Sequence, residues 1–159
     1  MAQITFISIG GLKEKYLTDA VAEYKKRLSQ YARVEEVELK EERISDENNA
    51  REVSTALEKE ADKILSSVPK DAYLIALCVE GKGYSSEELA NIVSDAIDTS
   101  GKLAFVIGSS HGLSPRVKSA AHLRLSFSKL TFPHQLMRVM LYEATYRSFT
   151  IIAGKKYHK

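Results

Sequence analysis

The residues best suited to bind a ligand lie in three loops, each of which follows an apolar run of the chain. The loops are Glu80-Gly81-Lys82-Gly83, Gly108-Ser109-Ser110-His111-Gly112 and Phe127 to Phe132. Glycine permits close approach of backbone to a ligand, and serine and threonine add hydroxyl groups. If the apolar runs are parallel strands, their carboxyl ends share one edge of a sheet, so the loops are predicted to converge on one ligand. Simple turn formation is the alternative explanation of these glycines.

A second candidate group combines the last predicted helix with the carboxyl-terminal tail. Glu143 and Arg147 have i,i+4 spacing, which favours an ion pair on one helix face. The tail closes with Tyr157-His158-Lys159, which carries an aromatic ring, an imidazole and a cation. These groups suit base stacking and phosphate contact. A surface ion pair of little energetic value and a frayed terminus are the alternatives.

Several common chemistries have no motif in this chain. Neither GxGxxG nor GxxxxGK[ST] occurs, so dinucleotide and P-loop phosphate sites are not predicted. The four histidines have no metal-ligand spacing, so no metal is expected; they are His111, His122, His134 and His158. Ser109 and Ser110 stand close to His111 in a glycine-rich loop, where local hydrogen bonds are a better explanation than nucleophilic catalysis.

Composition narrows the class of protein. The chain has 159 residues, 44% of them hydrophobic and 28% charged, which is typical of one globular domain spanning residues 1–159. A net charge of +2 is too small to indicate nucleic-acid binding by itself. The single cysteine, Cys78, lies in the apolar run Tyr73–Val79 and is predicted to be a core residue. We expect a cytoplasmic protein, because there is no signal-peptide pattern and no apolar run long enough for a membrane helix.

Hydrophobic periodicity predicts strands and helices in strict alternation. The predicted strands are Ile4–Ile9, Val34–Leu39, Tyr73–Val79, Leu103–Ile107 and Leu123–Phe127, and the predicted helices cover 14–30, 52–67, 85–97, 115–121 and 136–149. This order predicts an α/β fold with a parallel five-stranded sheet and helices on both faces. The alternation of valines with glutamates makes the second strand a candidate edge. Pro133 is expected in the first turn of the last helix, with Thr131 as a cap.

The last predicted helix is apolar around its whole circumference. Its apolar residues include Leu136, Met137, Val139, Met140, Leu141 and Tyr142. One face of a sheet cannot cover so wide an apolar surface, so we expect the remaining side to pack against a second copy of the chain in a homodimer.

Four stretches resemble one protein family. They are Phe105-Val-Ile-Gly-Ser-Ser-His-Gly-Leu113, Leu125-Ser-Phe-Ser-Lys-Leu-Thr-Phe-Pro-His-Gln135, Arg138-Val-Met-Leu-Tyr-Glu-Ala-Thr-Tyr-Arg147 and the terminal Tyr157-His158-Lys159. The chain is similar, over its whole length, to the bacterial large-subunit (23S) ribosomal RNA pseudouridine N3-methyltransferases, short members of the SPOUT superfamily. Two departures are small: the family often has Gly-Gly at Gly108-Ser109 and arginine at Lys159.

The resemblance implies a fold, a cofactor and partners. The fold would contain a deep carboxyl-terminal trefoil knot, and S-adenosylmethionine would bind there. The implied cofactor residues are Leu77, Gly108, Phe127, Ser128, Lys129, Leu130, Thr131 and Phe132. The family acts as a homodimer in which the tail of one protomer helps to complete the partner's site. Its substrate is a pseudouridine in a stem-loop of the large ribosomal RNA, methylated on assembled ribosomes.

The resemblance also makes the second candidate group catalytic. Methyl transfer from a sulfonium requires alignment of the acceptor and loss of the N3 proton, so we expect Arg147, Glu143, Tyr157 and His158 to hold the uracil ring and its developing negative charge. His158 is the natural proton acceptor, and solvent is the alternative. Two other functions stay open: a SPOUT enzyme acting on transfer RNA, and a ribosome-binding protein without catalytic activity.

Overall fold

Five strands and five helices alternate along the chain in the computed structural model, which describes residues 1–159. The strands are β1 (Ala2–Ile9), β2 (Ala32–Leu39), β3 (Tyr73–Lys82), β4 (Lys102–Ile107) and β5 (Leu123–Leu125). The helices are α1 (Lys15–Leu28), α2 (Ala50–Ser67), α3 (Ser86–Ser100), α4 (Pro115–Ala120) and α5 (His134–Ile152). The predicted order of elements is confirmed. None of the five helices combines the length and the apolar character that a membrane-spanning helix requires.

The five strands form one parallel sheet in the order β2-β1-β4-β3-β5. β4 lies at its centre, and Leu103 to Ile107 are all buried, as a continuous apolar run predicts. β2 is an edge strand, which confirms the interpretation of its alternating pattern. β1 is interior as well, because its apolar residues contribute to the core on both sides of the sheet.

The helices divide between the two faces as right-handed crossovers require. Steps from β1 to β2 and from β3 to β4 run in one direction along the sheet, and their helices α1 and α3 pack with α5 over Phe6 and Phe105. Steps in the other direction carry α2 and α4, which pack over Ile7 and Val106. The α5 helix therefore lies between α1 and α3, on the face opposite α4.

Local signals set both ends of α3, which begins as predicted but continues three residues beyond the predicted end at residue 97. The Ser85 hydroxyl accepts from Glu88 N–H, and the Glu88 carboxylate accepts from Ser85 N–H, which completes a capping box. The helix ends at Gly101, whose φ of 71° is the left-handed conformation that glycine adopts without strain.

The structure corrects two details near the start of α5. β5 ends at Leu125 rather than Phe127, because the chain turns where Ser126 Oγ donates to Ser128 O at 3.0 Å. Thr131 does not cap α5. Pro133 occupies the N-cap position, and no side chain caps the helix.

The first half of α5 is fastened to the edge of the sheet by polar contacts. Tyr142 Oη donates to Glu36 Oε1 at 2.6 Å, and Arg138 Nη2 donates to Glu38 Oε1 at 2.5 Å. Both glutamates belong to β2, so the polar side of this edge strand faces helix α5 rather than only solvent. Tyr142 also stacks on Phe6, with ring centroids 3.9 Å apart. These contacts fix where the loop before α5 can lie.

Candidate active site

The end of β3, the turn after β4 and the segment after β5 line one cavity of about 530 Å³. This volume is in the range of sites for small molecules and cofactors. The cavity lies at the carboxyl ends of β3, β4 and β5, and α4 and the start of α5 contribute further residues. The predicted loops after β4 and β5 meet here. Of the predicted first loop, residues 80–83, only Glu80 lines the cavity, because β3 continues to Lys82 rather than ending at Val79.

The part of the wall that β3 supplies is built by an irregularity in strand pairing near the end of that strand. Leu77 and Lys82 both pair with Leu125, so the four residues 78–81 leave the ladder between them. Ser126 N–H donates to Lys82 O at 2.9 Å where the chain returns. Gly81 is required there, because a Cβ would lie 2.8 Å from the backbone of Arg124. The excursion turns three consecutive residues toward the cavity: Cys78, Val79 and Glu80.

The loop after β4 is a tight turn. Gly112 N–H donates to Ser109 O at 2.9 Å, and Gly112 has a φ of 84°. A Cβ on Gly108 would lie 2.3 Å from Gly112 O, so the absent side chain lets the turn close on itself. Gly108 is therefore required by the path of its own loop. It also lines the cavity, so its expected contact with a ligand stays a prediction.

The same turn accounts for the serine and histidine residues that resemble a nucleophilic site. His111 N–H donates to Ser109 Oγ at 3.4 Å, and His111 Nε2 lies 3.7 Å from Glu47 Oε1, outside the cavity. The expected local hydrogen bonding is present. No group of three or more His, Cys, Asp or Glu side chains is placed to hold a metal ion.

The segment between β5 and α5 forms a third wall of the cavity. Ser128 Oγ accepts from Leu130 N–H at 3.0 Å, which folds the segment into a compact turn. Of the eight residues implied as cofactor-binding, seven line the cavity: Leu77, Gly108, Phe127, Ser128, Leu130, Thr131 and Phe132. Lys129 is exposed and lies outside the lining.

Two features of the lining were missed or misjudged from the sequence. Cys78 is half-buried and lines the cavity, so the prediction of a core position is wrong. The cause is the excursion after Leu77, which turns the end of the apolar run out of the sheet. Burial raises the pKa of the Cys78 thiol, and the nearby Glu80 carboxylate acts in the same direction. The second feature is an ion pair between Glu80 and Lys118.

The predicted catalytic residues form a separate cluster at the end of α5. Glu143 Oε1 accepts from Arg147 Nε at 3.0 Å and from Arg147 Nη2 at 2.5 Å. Tyr157 Oη donates to the same carboxylate oxygen at 3.0 Å, and the Arg147 guanidinium lies over the Tyr157 ring. His158 Nδ1 is 3.1 Å from Arg147 Nη1, and its Nε2 is 2.7 Å from Glu87 Oε1. The tail is therefore docked on α5 and α3, not frayed.

Contacts within the cluster determine the protonation of Arg147 and Tyr157 and the tautomer of His158. The hydrogen bonds that Arg147 donates to the Glu143 carboxylate raise the pKa of Arg147. Burial, followed by hydrogen bonds with Tyr24 and Glu143, raises the pKa of Tyr157, so its phenol stays protonated. Because arginine only donates, His158 Nδ1 must accept from Arg147, which leaves Nε2 to carry the proton that it donates to Glu87. In this arrangement the basic nitrogen of His158 is occupied.

The cavity and the cluster of predicted catalytic residues are neighbours but do not coincide within one chain. Glu143 and Arg147 line a second pocket, of about 380 Å³, between α3 and α5. The two pockets share the residues Leu125, Ser126 and Phe127. The turn at the end of β5 thus separates them, and neither Tyr157 nor His158 lines the larger cavity.

Comparison with protein families identifies the class. The family model described as "Predicted SPOUT methyltransferase" matches residues 2–158. This chain belongs to the SPOUT methyltransferase family, and the predicted resemblance is confirmed.

Curated relatives match this chain over almost their whole length. A "Ribosomal RNA large subunit methyltransferase H" of Caldicellulosiruptor bescii is 54% identical over 156 residues, which cover 98% of this chain and 99% of the relative. The protein of the same name from Bacillus pumilus is 47% identical over 158 residues, with the same coverage. A "Putative ribosomal RNA large subunit methyltransferase H" of Methanococcus maripaludis is 48% identical over 158 residues.

Solved structures of low sequence identity share the fold. A probable methyltransferase from Bordetella pertussis Tohama I superimposes with a TM-score of 0.56 at 13% identity and covers 92% of this chain and 94% of its own. A second solved structure, from a study of "2-OH methylation of C/U34 on tRNA", superimposes with a TM-score of 0.52, also at 13% identity. At this identity the likeness concerns the fold alone.

Proposed function

We propose that this protein transfers the methyl group of S-adenosylmethionine to N3 of a pseudouridine in the large-subunit (23S) ribosomal RNA of assembled ribosomes. The observation that carries the proposal is full-length similarity, at up to 54% identity among the relatives above, to proteins named ribosomal RNA large subunit methyltransferase H. The proposal is also supported by the cavity between the loops of this chain, which belongs to the SPOUT methyltransferase family. Action on ribosomes implies a cytoplasmic location.

The chemistry of the cavity fits the proposed cofactor. Its walls are apolar side chains, such as Leu77 and Phe132, and loop backbone with serine and threonine hydroxyls. Apolar walls suit the faces of an adenine, and backbone N–H and C=O groups suit its edge and the ribose hydroxyls. We assign binding to the seven lining residues of the implied set, with Lys129 outside it. When bound, S-adenosylmethionine supplies a methyl group on a positively charged sulfur, which is already activated for transfer.

The residues of the catalytic cluster would act on the acceptor base. The N3–H of a pseudouridine is an imide, so its loss of a proton leaves negative charge on the ring. Arg147, oriented by Glu143, is suited to stabilise that charge, and Tyr157 can hold the ring edge by hydrogen bonding or stacking. The proton would pass to His158, once its Nδ1 leaves Arg147, or to solvent.

A homodimer would bring the two parts of the site together. The catalytic cluster lies outside the cofactor cavity of its own chain, so a second protomer could place its tail beside that cavity. The surface of α5 supports such an interface. Leu141 and Tyr142 are buried, but Leu136 and Ile152 are 39% and 44% exposed, which leaves apolar area uncovered. We infer a carboxyl-terminal trefoil knot from the family.

Two measurements test the function. Calorimetry with S-adenosylmethionine tests the enzymatic assignment, and absence of binding would favour a non-catalytic ribosome-binding protein. Mapping of modified nucleotides in RNA from cells with and without the gene then tests the substrate. We expect one methylated pseudouridine to disappear from 23S ribosomal RNA and to return on complementation. Loss of a transfer RNA modification instead would favour the transfer RNA alternative.

A further inference from the structure

The proposed cofactor cavity contains one pair of formally charged side chains. Of its 21 lining residues, only Glu80 and Lys118 carry a full charge at neutral pH, apart from the titratable His134. The Lys118 ammonium donates to the Glu80 carboxylate. Glu80 comes from the excursion after Leu77, and Lys118 comes from α4, so the pair joins two walls of the cavity.

The two charged groups differ in exposure. The Lys118 side chain is 26% exposed, whereas that of Glu80 is 57% exposed. The hydrogen bond from Lys118 lowers the pKa of Glu80, so the carboxylate is ionised at neutral pH. Arg124 is a further cation close enough to act on Glu80. The pair is a compact dipole at the cavity wall, with its cation the more enclosed member.

The proposed cofactor has one end that requires charged partners. Adenine and ribose are neutral and suit backbone and hydroxyl groups, but the methionine end carries an ammonium and a carboxylate. Transfer of a charged group from water into a binding site costs free energy unless the group finds a partner there. Hydrogen bonds to charged groups are stronger than those between neutral groups. The remaining lining offers only neutral groups and His134.

We propose that Glu80 and Lys118 form the subsite for the α-amino-carboxylate end of the methyl donor. Lys118 donates to the ligand carboxylate, and Glu80 accepts from the ligand ammonium. The ligand thus exchanges one ion pair within the protein for two ion pairs across the interface. This assignment rests on the proposed function, and it adds two specificity-determining residues to the site.

The assignment predicts that the two residues matter only for ligands with the amino-acid end. S-adenosylhomocysteine retains that end, and 5′-methylthioadenosine lacks it while keeping the adenosine and a thioether. Calorimetry with both ligands on wild type, Lys118→Met and Glu80→Gln separates the subsite from the rest of the cavity. We expect each substitution to weaken S-adenosylhomocysteine about tenfold, since a charge-assisted hydrogen bond is lost. Affinity for 5′-methylthioadenosine should change less than about twofold, within the scatter expected for a distant site.

Matched variants exist where α4 packs against α2. Arg116 Nε lies 3.1 Å from Glu58 Oε2, and neither residue lines the cavity. Arg116→Met and Glu58→Gln remove the same types of charge and should leave both ligand affinities unchanged. Retained binding of 5′-methylthioadenosine also shows that a variant is folded.

The results distinguish a failure of the proposed subsite from a failure of the proposed function. Equal weakening of both ligands by Lys118→Met and Glu80→Gln, or no weakening of either ligand, overturns the subsite. Failure of wild type to bind S-adenosylmethionine, S-adenosylhomocysteine or 5′-methylthioadenosine contradicts the proposed function itself.

Discussion

Arg138 of α5 and Glu38 of β2 are 100 residues apart in the chain and form an ion pair with an Nη2–Oε1 distance of 2.5 Å. Arg138 is buried, with 5% of its side chain exposed, and its Nε has no hydrogen-bond partner. Arg138 Nη1 also donates to Gly10 O at 3.4 Å. The pair fastens the start of α5, and hence the loop that forms one cavity wall, to the edge of the sheet.

Because Arg138 is buried and Glu38 is half exposed, loss of the carboxylate should reduce the free energy of unfolding. Glu38→Gln leaves a buried guanidinium without its counter-charge, so we expect a loss of about 1–3 kcal/mol of unfolding free energy. Glu35→Gln is the matched control, because Glu35 lies on the same strand and pairs only with the largely exposed Arg33. Urea denaturation compares the two variants. Equal stability of both would show that the buried pair has no special role.

Gly108→Ala should destabilise the protein. A Cβ there meets Gly112 O at 2.3 Å, so the turn must move, and we expect Tm to fall by about 5 °C or more, which corresponds to about 2 kcal/mol in a chain of this size. Gly83→Ala is the control, since its nearest neighbour would be Ser126 O at 4.0 Å. An unchanged Tm in Gly108→Ala, measured by calorimetric scanning, would contradict the assigned packing.

Cys78 should react slowly with alkylating reagents and be protected by ligand. Burial raises the pKa of its thiol, which lowers the thiolate fraction at neutral pH. Mass spectrometry after iodoacetamide treatment should therefore show slower modification than of glutathione, with a steep increase at alkaline pH. S-adenosylhomocysteine should reduce the rate further, because Cys78 lines the cavity. Alkylation that is indifferent to the ligand would remove Cys78 from the site.

Replacement of Glu60 by glutamine should stabilise the protein by an amount that depends on pH. It is buried on α2, and burial raises the pKa of its carboxyl, although Glu42 N–H donates to Oε2 at 2.9 Å. A raised folded-state pKa favours the protonated form, so Glu60 costs stability as pH rises through that value. Glu60→Gln should raise Tm at pH 7, and the gain should shrink as pH falls toward the ordinary pKa of glutamate. An increase in Tm that is the same at every pH would show that ionisation of Glu60 is not its cause.

Deletion of Tyr157-His158-Lys159 should separate cofactor binding from catalysis. None of these residues lines the cavity, so affinity for S-adenosylmethionine should be retained. Methyl transfer should fall by orders of magnitude, because positioning and charge stabilisation are lost together. Lys159→Ala is the control: it should keep catalysis while it weakens ribosome binding and makes the salt dependence shallower. Full activity of the truncated protein would leave only Glu143 and Arg147 as catalytic candidates.

The sequence predicts those parts of the fold that depend on local patterns. Continuous apolar runs identify the interior strands, and the spacing of Ser85 and Glu88 identifies a helix start. The i,i+4 spacing of Glu143 and Arg147 predicts a contact that the structure contains. Each of these signals is contained within a few residues, where helix or strand geometry alone determines which side chains meet.

Contacts between distant segments could not be predicted in the same way. Glu80 and Lys118 meet only because the strand pairing of β3 slips between Leu77 and Lys82, which no local pattern indicates. The docking of His158 against Glu87 depends on how α5 packs beside α3. The packing of Gly108 against Gly112 could not be predicted, because the two residues become close only when the turn has formed.

The most direct test of the proposed function is methyl transfer in vitro. Purified protein is incubated with methyl-labelled S-adenosylmethionine and with ribosomes from cells that lack the gene, and the labelled RNA is digested and analysed by mass spectrometry. We expect label at N3 of one pseudouridine in 23S ribosomal RNA, and none in transfer RNA added to the same reaction. Label in transfer RNA, or at another atom of the ribosomal RNA, or in neither RNA would contradict the proposed function.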